Sequence, residues 1–215
     1  MSYLITSSLI GSIKWYQECP YSWKEKAYSD LSNMLNRKWT TPSKPAQRGI
    51  TFENYVYRLL SKSTDIDSLN CSNYFKQVLH RCNRGIFQEV SKSFIVVDEI
   101  EYCLYQKADV IFDNEIIDIK TTVKFNKDKY LNSFQHIIYL HNTQKRKFTY
   151  LVAVFEENTD KIIDLQEVRI QVFENQLKEY ENKIIAKIKE INKFFEEHIY
   201  LGKAYCSIYS KPKKG

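Results

Sequence analysis

The stretch from Asp109 to Lys120, Asp-Val-Ile-Phe-Asp-Asn-Glu-Ile-Ile-Asp-Ile-Lys, constrains this chain more than any other. It holds two short apolar pieces separated by the turn signal Asp113-Asn114, and runs so rich in isoleucine and valine read as strands. Side chains in a strand alternate between faces, so Asp118 and Lys120 share one side while Ile117 and Ile119 point into the core. A carboxylate and an ammonium therefore meet at the end of an apolar strand. A second acid, Asp109, opens the strand before it.

The rest of the chain predicts what covers those strands. Apolar residues recur at helical spacing over residues 21–38 and 51–61, and Pro42-Ser43-Lys44-Pro45 forms the break between them. A third helix, residues 67–82, stops at Asn83-Arg84-Gly85. Residues 86–120 predict three or four strands in an antiparallel meander, broken at Val97-Asp98-Glu99 and at Asp113-Asn114. Helical spacing returns over 127–142, strands follow over 148–155 and 162–172, and 174–199 forms a long amphipathic helix. Leu177, Ile184, Ile188, Ile191 and Phe195 make one stripe on that helix, read as a packing surface. The order predicts an α/β fold, a mixed central β-sheet flanked by helices, with a helical N-terminal third and a long C-terminal helix.

At 215 residues the chain is long enough for one well-cored domain, and the expectation is a single domain over residues 1–215. Thirty-two basic against 26 acidic side chains give +6, a mild excess that suits a polyanionic partner and is also common among soluble proteins. An aromatic content of 14% excludes a disordered composition. Cys19, Cys71, Cys82, Cys103 and Cys206 are scattered without a Cys-x-x-Cys pair, which argues against a zinc ribbon or a disulfide framework. The polar start lacks a basic leader region and no apolar run reaches membrane-spanning length, so no membrane partner and a cytoplasmic location are expected. The tail from Ser210 to Gly215 is basic and reads as a disordered end or a phosphate contact.

Carboxylates at strand ends beside a lysine are the donor set of metal-assisted phosphodiester hydrolysis. A hard cation such as Mg²⁺ takes oxygen ligands, and Asp109, Asp118 and Glu53, with the carbonyl of Ile119, would supply them. Lys120 would orient the attacking water, hold the phosphate or, with a lowered pKa, act as base. Acid-x-Lys is a loose pattern, and Glu181-Asn-Lys183 is a second occurrence on a helix. Context raises Asp118 above it. Lys124, Lys127 and Lys129 follow in position to meet phosphates, as either DNA contacts or a solvated loop. Arg81, Arg84 and Lys92 could grip a strand, and Tyr55 and Tyr57 could stack on bases or pack in the core. His136 is read as structural.

Gly49-xxx-Glu53, Asp109, Asp118-x-Lys120 and Gln135-xxx-Tyr139 resemble, in order and over most of the chain, the PD-(D/E)xK nuclease superfamily in its RecB-like and phage (lambda-type) exonuclease branches. The resemblance implies a restriction-endonuclease-like fold with the first acid on a helix, Asp109 and Asp118 on the sheet, and Gln135 and Tyr139 on the next helix near DNA. It implies a Mg²⁺-dependent deoxyribonuclease, with Mn²⁺ substituting, most simply an exonuclease of recombination, repair or phage DNA metabolism. Alternatives are a structure- or sequence-specific endonuclease and a non-catalytic DNA-binding subunit of the same fold. A homo-oligomer and a recombination or helicase partner stay open. Many RecB-like members carry histidine four residues after the glycine, where this chain has Glu53. Cys19-Pro20 and Cys206 resemble cysteine positions of members with a four-cysteine iron–sulfur cluster, but the other ligands are missing, so no cluster is expected.

Overall fold

The computed structural model describes residues 2–38, 40–62 and 65–211, so the basic tail beyond Lys211 lies outside the described residues. The chain opens with a strand, β1 (Ser2–Ile5), which runs through Thr6 into helix α1 (Ser7–Glu18). Thr6 Oγ1 accepts from the Leu9 amide at 3.1 Å and caps that helix. Sequence patterning missed both elements: Ser7, Ser8, Gly11 and Ser12 are poor helix formers, and burial of Leu9, Ile10 and Ile13 holds the helix instead. Helices α2 (Lys24–Leu35), α3 (Lys44–Leu60) and α4 (Asn73–Cys82) complete the helical first third. Helix α3 begins seven residues before the expected 51, since Ser43 caps it and Pro45 sits in its first turn, where a missing N–H leaves no bond unmade.

Four strands then form one long bent hairpin: β2 (Ile86–Phe87), β3 (Val90–Val97), β4 (Ile100–Lys107) and β5 (Val110–Ile111). Its register never slips, with Ile86 opposite Ile111, Val90 opposite Lys107 and Val97 opposite Ile100. At the bend the Gln88 amide donates to the Asp109 carbonyl (3.1 Å) and the Ala108 amide to the Glu89 carbonyl (2.8 Å), so the ladder continues through the corner. At the tip Asp98 and Glu99 have φ of 49° and 67°, the left-handed pair of a two-residue hairpin turn whose twist suits the strands.

The bend divides the strands between two sheets. The meander expected on one sheet is antiparallel as read, but its outer half, β3 and β4, joins β1 and the short β9 (Ser210–Lys211) in the order β3-β4-β1-β9, with β1 parallel to β4. Its inner half joins β6 (Glu115–Thr122), β7 (Lys147–Phe155) and β8 (Ile162–Gln171) in the order β2-β5-β6-β7-β8. Strand β7 runs parallel to β6 after a crossover through α5 (Lys127–Leu131) and α6 (Gln135–Thr143), where one helix had been expected. Helices α7 (Glu174–Glu197) and α8 (Ile199–Tyr209) follow. Among the described residues no helix is long and apolar enough to cross a membrane.

Alternation along β6 decides what each face meets. Ile117 and Ile119 pack with Leu151 and Ala153 against Phe52, Val56, Phe75 and Leu79 of α3 and α4. Ile116 on the other face joins Phe148, Tyr150 and Val152 beneath Tyr139 and Leu140 of α6 and Leu177 and Tyr180 of α7. The α7 stripe continues into a third cluster, where Ile184, Ile188, Ile191 and Phe195 meet Ile5, Leu9, Tyr102 and Leu104.

Two glycines give opposite expectations. A Cβ on Gly85 would lie 2.1 Å from Val110 Cγ1 and 3.3 Å from the Cys82 carbonyl, whereas one on Gly11 meets nothing within 4 Å. Gly85→Ala should destabilise the fold by about 1–3 kcal/mol through overpacking. Gly11→Ala, on an exposed helical position, should stabilise it by up to about 1 kcal/mol. Urea unfolding of the two variants checks both signs, and a stable Gly85→Ala protein would contradict the close packing at the hairpin base.

Candidate active site

Strand β6 carries Asp118 in its middle, between Ile117 and Ile119 and beside Tyr150 of β7. Its carboxylate is only 2% exposed because α6 covers that face. Gln135, the first residue of α6, donates from Nε2 to Asp118 Oδ1 at 2.7 Å. Lys120, two residues along on the same face, brings Nζ within 2.5 Å of Oδ2. That contact is ionic and poorly aligned, since Oδ2 is buried without a hydrogen bond of normal geometry. Asp109 stands at the hairpin bend, and its Oδ2 accepts from the Ile119 amide at 2.7 Å. Helix α3 crosses β6 closely at Gly49, where a Cβ would sit 3.3 Å from Thr121 Oγ1. One turn further on, Glu53 is half-buried and accepts a hydrogen bond from Gln88 Nε2.

Charge is crowded here. Burial pushes Asp109 well above the usual carboxylate range, and Asp118 and Glu53 add to the push against Lys120 and the Ile119 amide. Burial likewise raises Asp118, with Glu53 adding and Lys120 and Gln135 opposing. For Lys120, burial works against the ammonium, but Asp118 and Asp109 outweigh it and hold its pKa above the ordinary value. Asp109 and Asp118 share one ammonium and Glu53 adds to the push on both acids, so negative charge is in excess, which the site can shed by taking up protons or a cation.

The donor chemistry suits a divalent cation: the side chains offer hard oxygens, negative charge is in excess, and Asp118 Oδ2 is buried without a well-formed hydrogen bond. Among the described residues, no three His, Cys, Asp or Glu side chains stand together as a ready metal-holding group. The acids are near neighbours electrostatically, with Glu53 tied to Gln88.

Tyr139 lies one turn beyond Gln135 on α6, but it is 2% exposed and its hydroxyl donates to the Lys107 carbonyl at 2.5 Å, so it faces the chain's own hairpin. Lys124, Lys127 and Lys129 are exposed on the segment leaving β6. Lys129 shares a cleft with Lys44, Arg48, Thr121 and Thr122. Arg81 is engaged with Glu115 (2.5 Å) and Glu167 (3.3 Å), and Lys92 lies over the Tyr105 ring. Tyr55 stacks on Phe75 at 5.3 Å, and Tyr57 leans on Phe87. Glu181 is exposed on α7. Cys19 and Cys82 are buried, Cys71 and Cys103 half-buried, Cys206 exposed, and none is in a disulfide. Gln88 was missed by sequence reasoning. Its one signal was a polar residue at the break between two apolar runs, which any turn also shows.

No protein-family model and no curated protein matches the chain. Among solved structures it is similar to an alkaline exonuclease (LHK-Exo) from Laribacter hongkongensis, at TM-score 0.47 and 10% identity over 93% of each chain. It is also similar to a phage-related exonuclease from Haemophilus somnus 129PT, at TM-score 0.47 and 15% identity over 92% of this chain and 97% of that one.

Beside the site, His136 is 6% exposed, packed among Phe148, Tyr150 and Tyr180, with Nδ1 3.3 Å from the Tyr150 hydroxyl. Burial, helped by Lys183, lowers its pKa from 6.5 to about 4. The unfolded chain therefore binds this proton more readily, so the contribution to stability is complete above pH 6.5 and is lost as pH falls towards 4. In His136→Gln, the loss of stability over that window should shrink by up to about 3 kcal/mol relative to the wild type. Denaturant unfolding at a series of pH values tests this; parallel curves would show that the imidazole is not held neutral.

Proposed function

We propose that this chain is a metal-dependent nuclease hydrolysing DNA phosphodiesters, and more narrowly an exonuclease of recombination, repair or phage DNA metabolism. The observation that carries the reading is the buried pair Asp109 and Asp118 around the Lys120 ammonium, with Gln135 fixing Asp118. Buried acids in charge excess are poor stabilisers and good cation ligands. Exposed Lys124, Lys127 and Lys129 beside the strand end suit a polyanionic backbone. The narrower assignment to exonucleases rests on the resemblance of Gln135-xxx-Tyr139.

Asp109, Asp118 and Glu53, with the Ile119 carbonyl, would hold Mg²⁺ or Mn²⁺, which supplies Lewis acidity and a more acidic bound water. Lys120 then acts as a donor, its ammonium directed to the scissile phosphate or the attacking water. Gln135 keeps Asp118 in one rotamer by its bond to Oδ1. Tyr139 acts at one remove by pinning the hairpin at Lys107, next to the bend that carries Asp109. The exposed lysines bind backbone phosphates and hold the strand across the site.

End-labelled linear single-stranded and duplex DNA, beside a covalently closed circle, test this in Mg²⁺, Mn²⁺ or EDTA. Linear substrate should be digested with either ion and not in EDTA, and the circle should stay intact. Asp118→Asn should lower the rate by roughly 100-fold or more, the scale on which charge stabilisation at a reacting centre acts, while Glu181→Gln stays at wild type. Lys120→Ala should still bind DNA in Ca²⁺ yet fail to cut, and Lys120→Arg should not restore full activity. Nicking of the circle would indicate an endonuclease. A wild-type protein that binds DNA and cuts none would indicate a binding subunit.

A further inference from the structure

Gln88 has no part in the chemistry above, yet it touches the supports of two acids at once. It occupies the hairpin corner opposite Asp109, where its amide donates to the Asp109 carbonyl at 3.1 Å. From the same residue Nε2 donates to Glu53 Oε1 on α3. Its backbone is left-handed, with φ of 58°, a conformation that glycine adopts without strain and glutamine does not. The corner thus bears a strained residue whose side chain links the helix acid to the hairpin acid.

We propose that Gln88 is a positioning residue that locks Glu53 to the Asp109 corner, so that the helix and hairpin acids present a fixed set of oxygens to a divalent cation. The inference rests on the metal-dependent reading of the site. Glu53 is half-exposed, and without the amide its carboxylate can swing towards water. Hydrogen-bonding partners of metal ligands typically change affinity by about 10- to 100-fold when removed.

The test pairs Mn²⁺ calorimetry with thermal unfolding, on full-length wild type, Gln88→Gly, Glu53→Gln and the double variant. Glycine accepts the left-handed backbone, so Gln88→Gly should melt at or above the wild-type temperature while its Mn²⁺ affinity falls by about 10-fold. In the Glu53→Gln background, the same change should alter Mn²⁺ affinity by less than about 2-fold, because the partner it acts through is already gone. A wild type that binds Mn²⁺ beside a Gln88→Gly protein of equal affinity overturns the inference alone, as does an undiminished Gln88→Gly effect in the Glu53→Gln background. A wild type that binds no Mn²⁺ overturns the metal reading and this inference together.

Discussion

The ion pair between Asp118 and Lys120 on the covered face of β6 is the interaction on which the rest of the site depends. A carboxylate 2% exposed in the middle of a strand is expensive to desolvate, and one ammonium at 2.5 Å with one amide at 2.7 Å offsets only part of that cost. Asp109 makes the imbalance worse, because its own carboxylate is satisfied by a backbone amide and brings another negative charge. Apolar residues in those places would be at least as favourable for folding. Local rules broken in this way, inside an otherwise consistent strand, are the kind of exception that functional sites carry.

Rigid neighbours make such a site possible. Helix α6 bridges the two sheets: Gln135 at its start holds Asp118, Tyr139 bonds the Lys107 carbonyl, and Asn142 near its end bonds the Leu104 carbonyl (3.0 Å) and Ser93 (2.7 Å). One face of a single helix thereby fixes β6 and the hairpin relative to each other. The hairpin supplies Asp109 because it bends there without losing register, and α3 supplies Glu53 because Gly49 lets its backbone approach Thr121. Each acid comes from a different element: α3 packs on the Ile117 and Ile119 face of β6, while the hairpin reaches both faces through Val110 and Ile111.

Much of this was legible in the sequence, for physical reasons. Period-two alternation over Ile117–Lys120 gave the two faces of β6, and the 3.6-residue stripe of α7 gave a packing helix whose stripe residues are all buried. Placing Asp118 beside Lys120 needed only alternation. What patterning could not supply was partnering over distance: the parallel pairing of β1 with β4, the transfer of one hairpin between two sheets, and the Gln88 contact 35 positions from Glu53. The start of α3 was misplaced because proline reads as a break when it can equally open a helix. Tyr139 was expected near DNA and instead lies buried, since helical spacing places it on the Gln135 face without revealing how much chain covers that face.

Thermal unfolding of the wild-type protein in EDTA and in Mn²⁺, without DNA, tests most directly whether the charge excess at Asp109 and Asp118 is a cation site. At about 100 times the dissociation constant, a ligand that binds only the folded state adds about 2.7 kcal/mol, which for a chain of this size raises the melting temperature by roughly 5–10 °C. A cation site at these acids predicts that rise in the wild type and its loss in Asp109→Asn. Equal melting temperatures with and without Mn²⁺ in the wild type would contradict it.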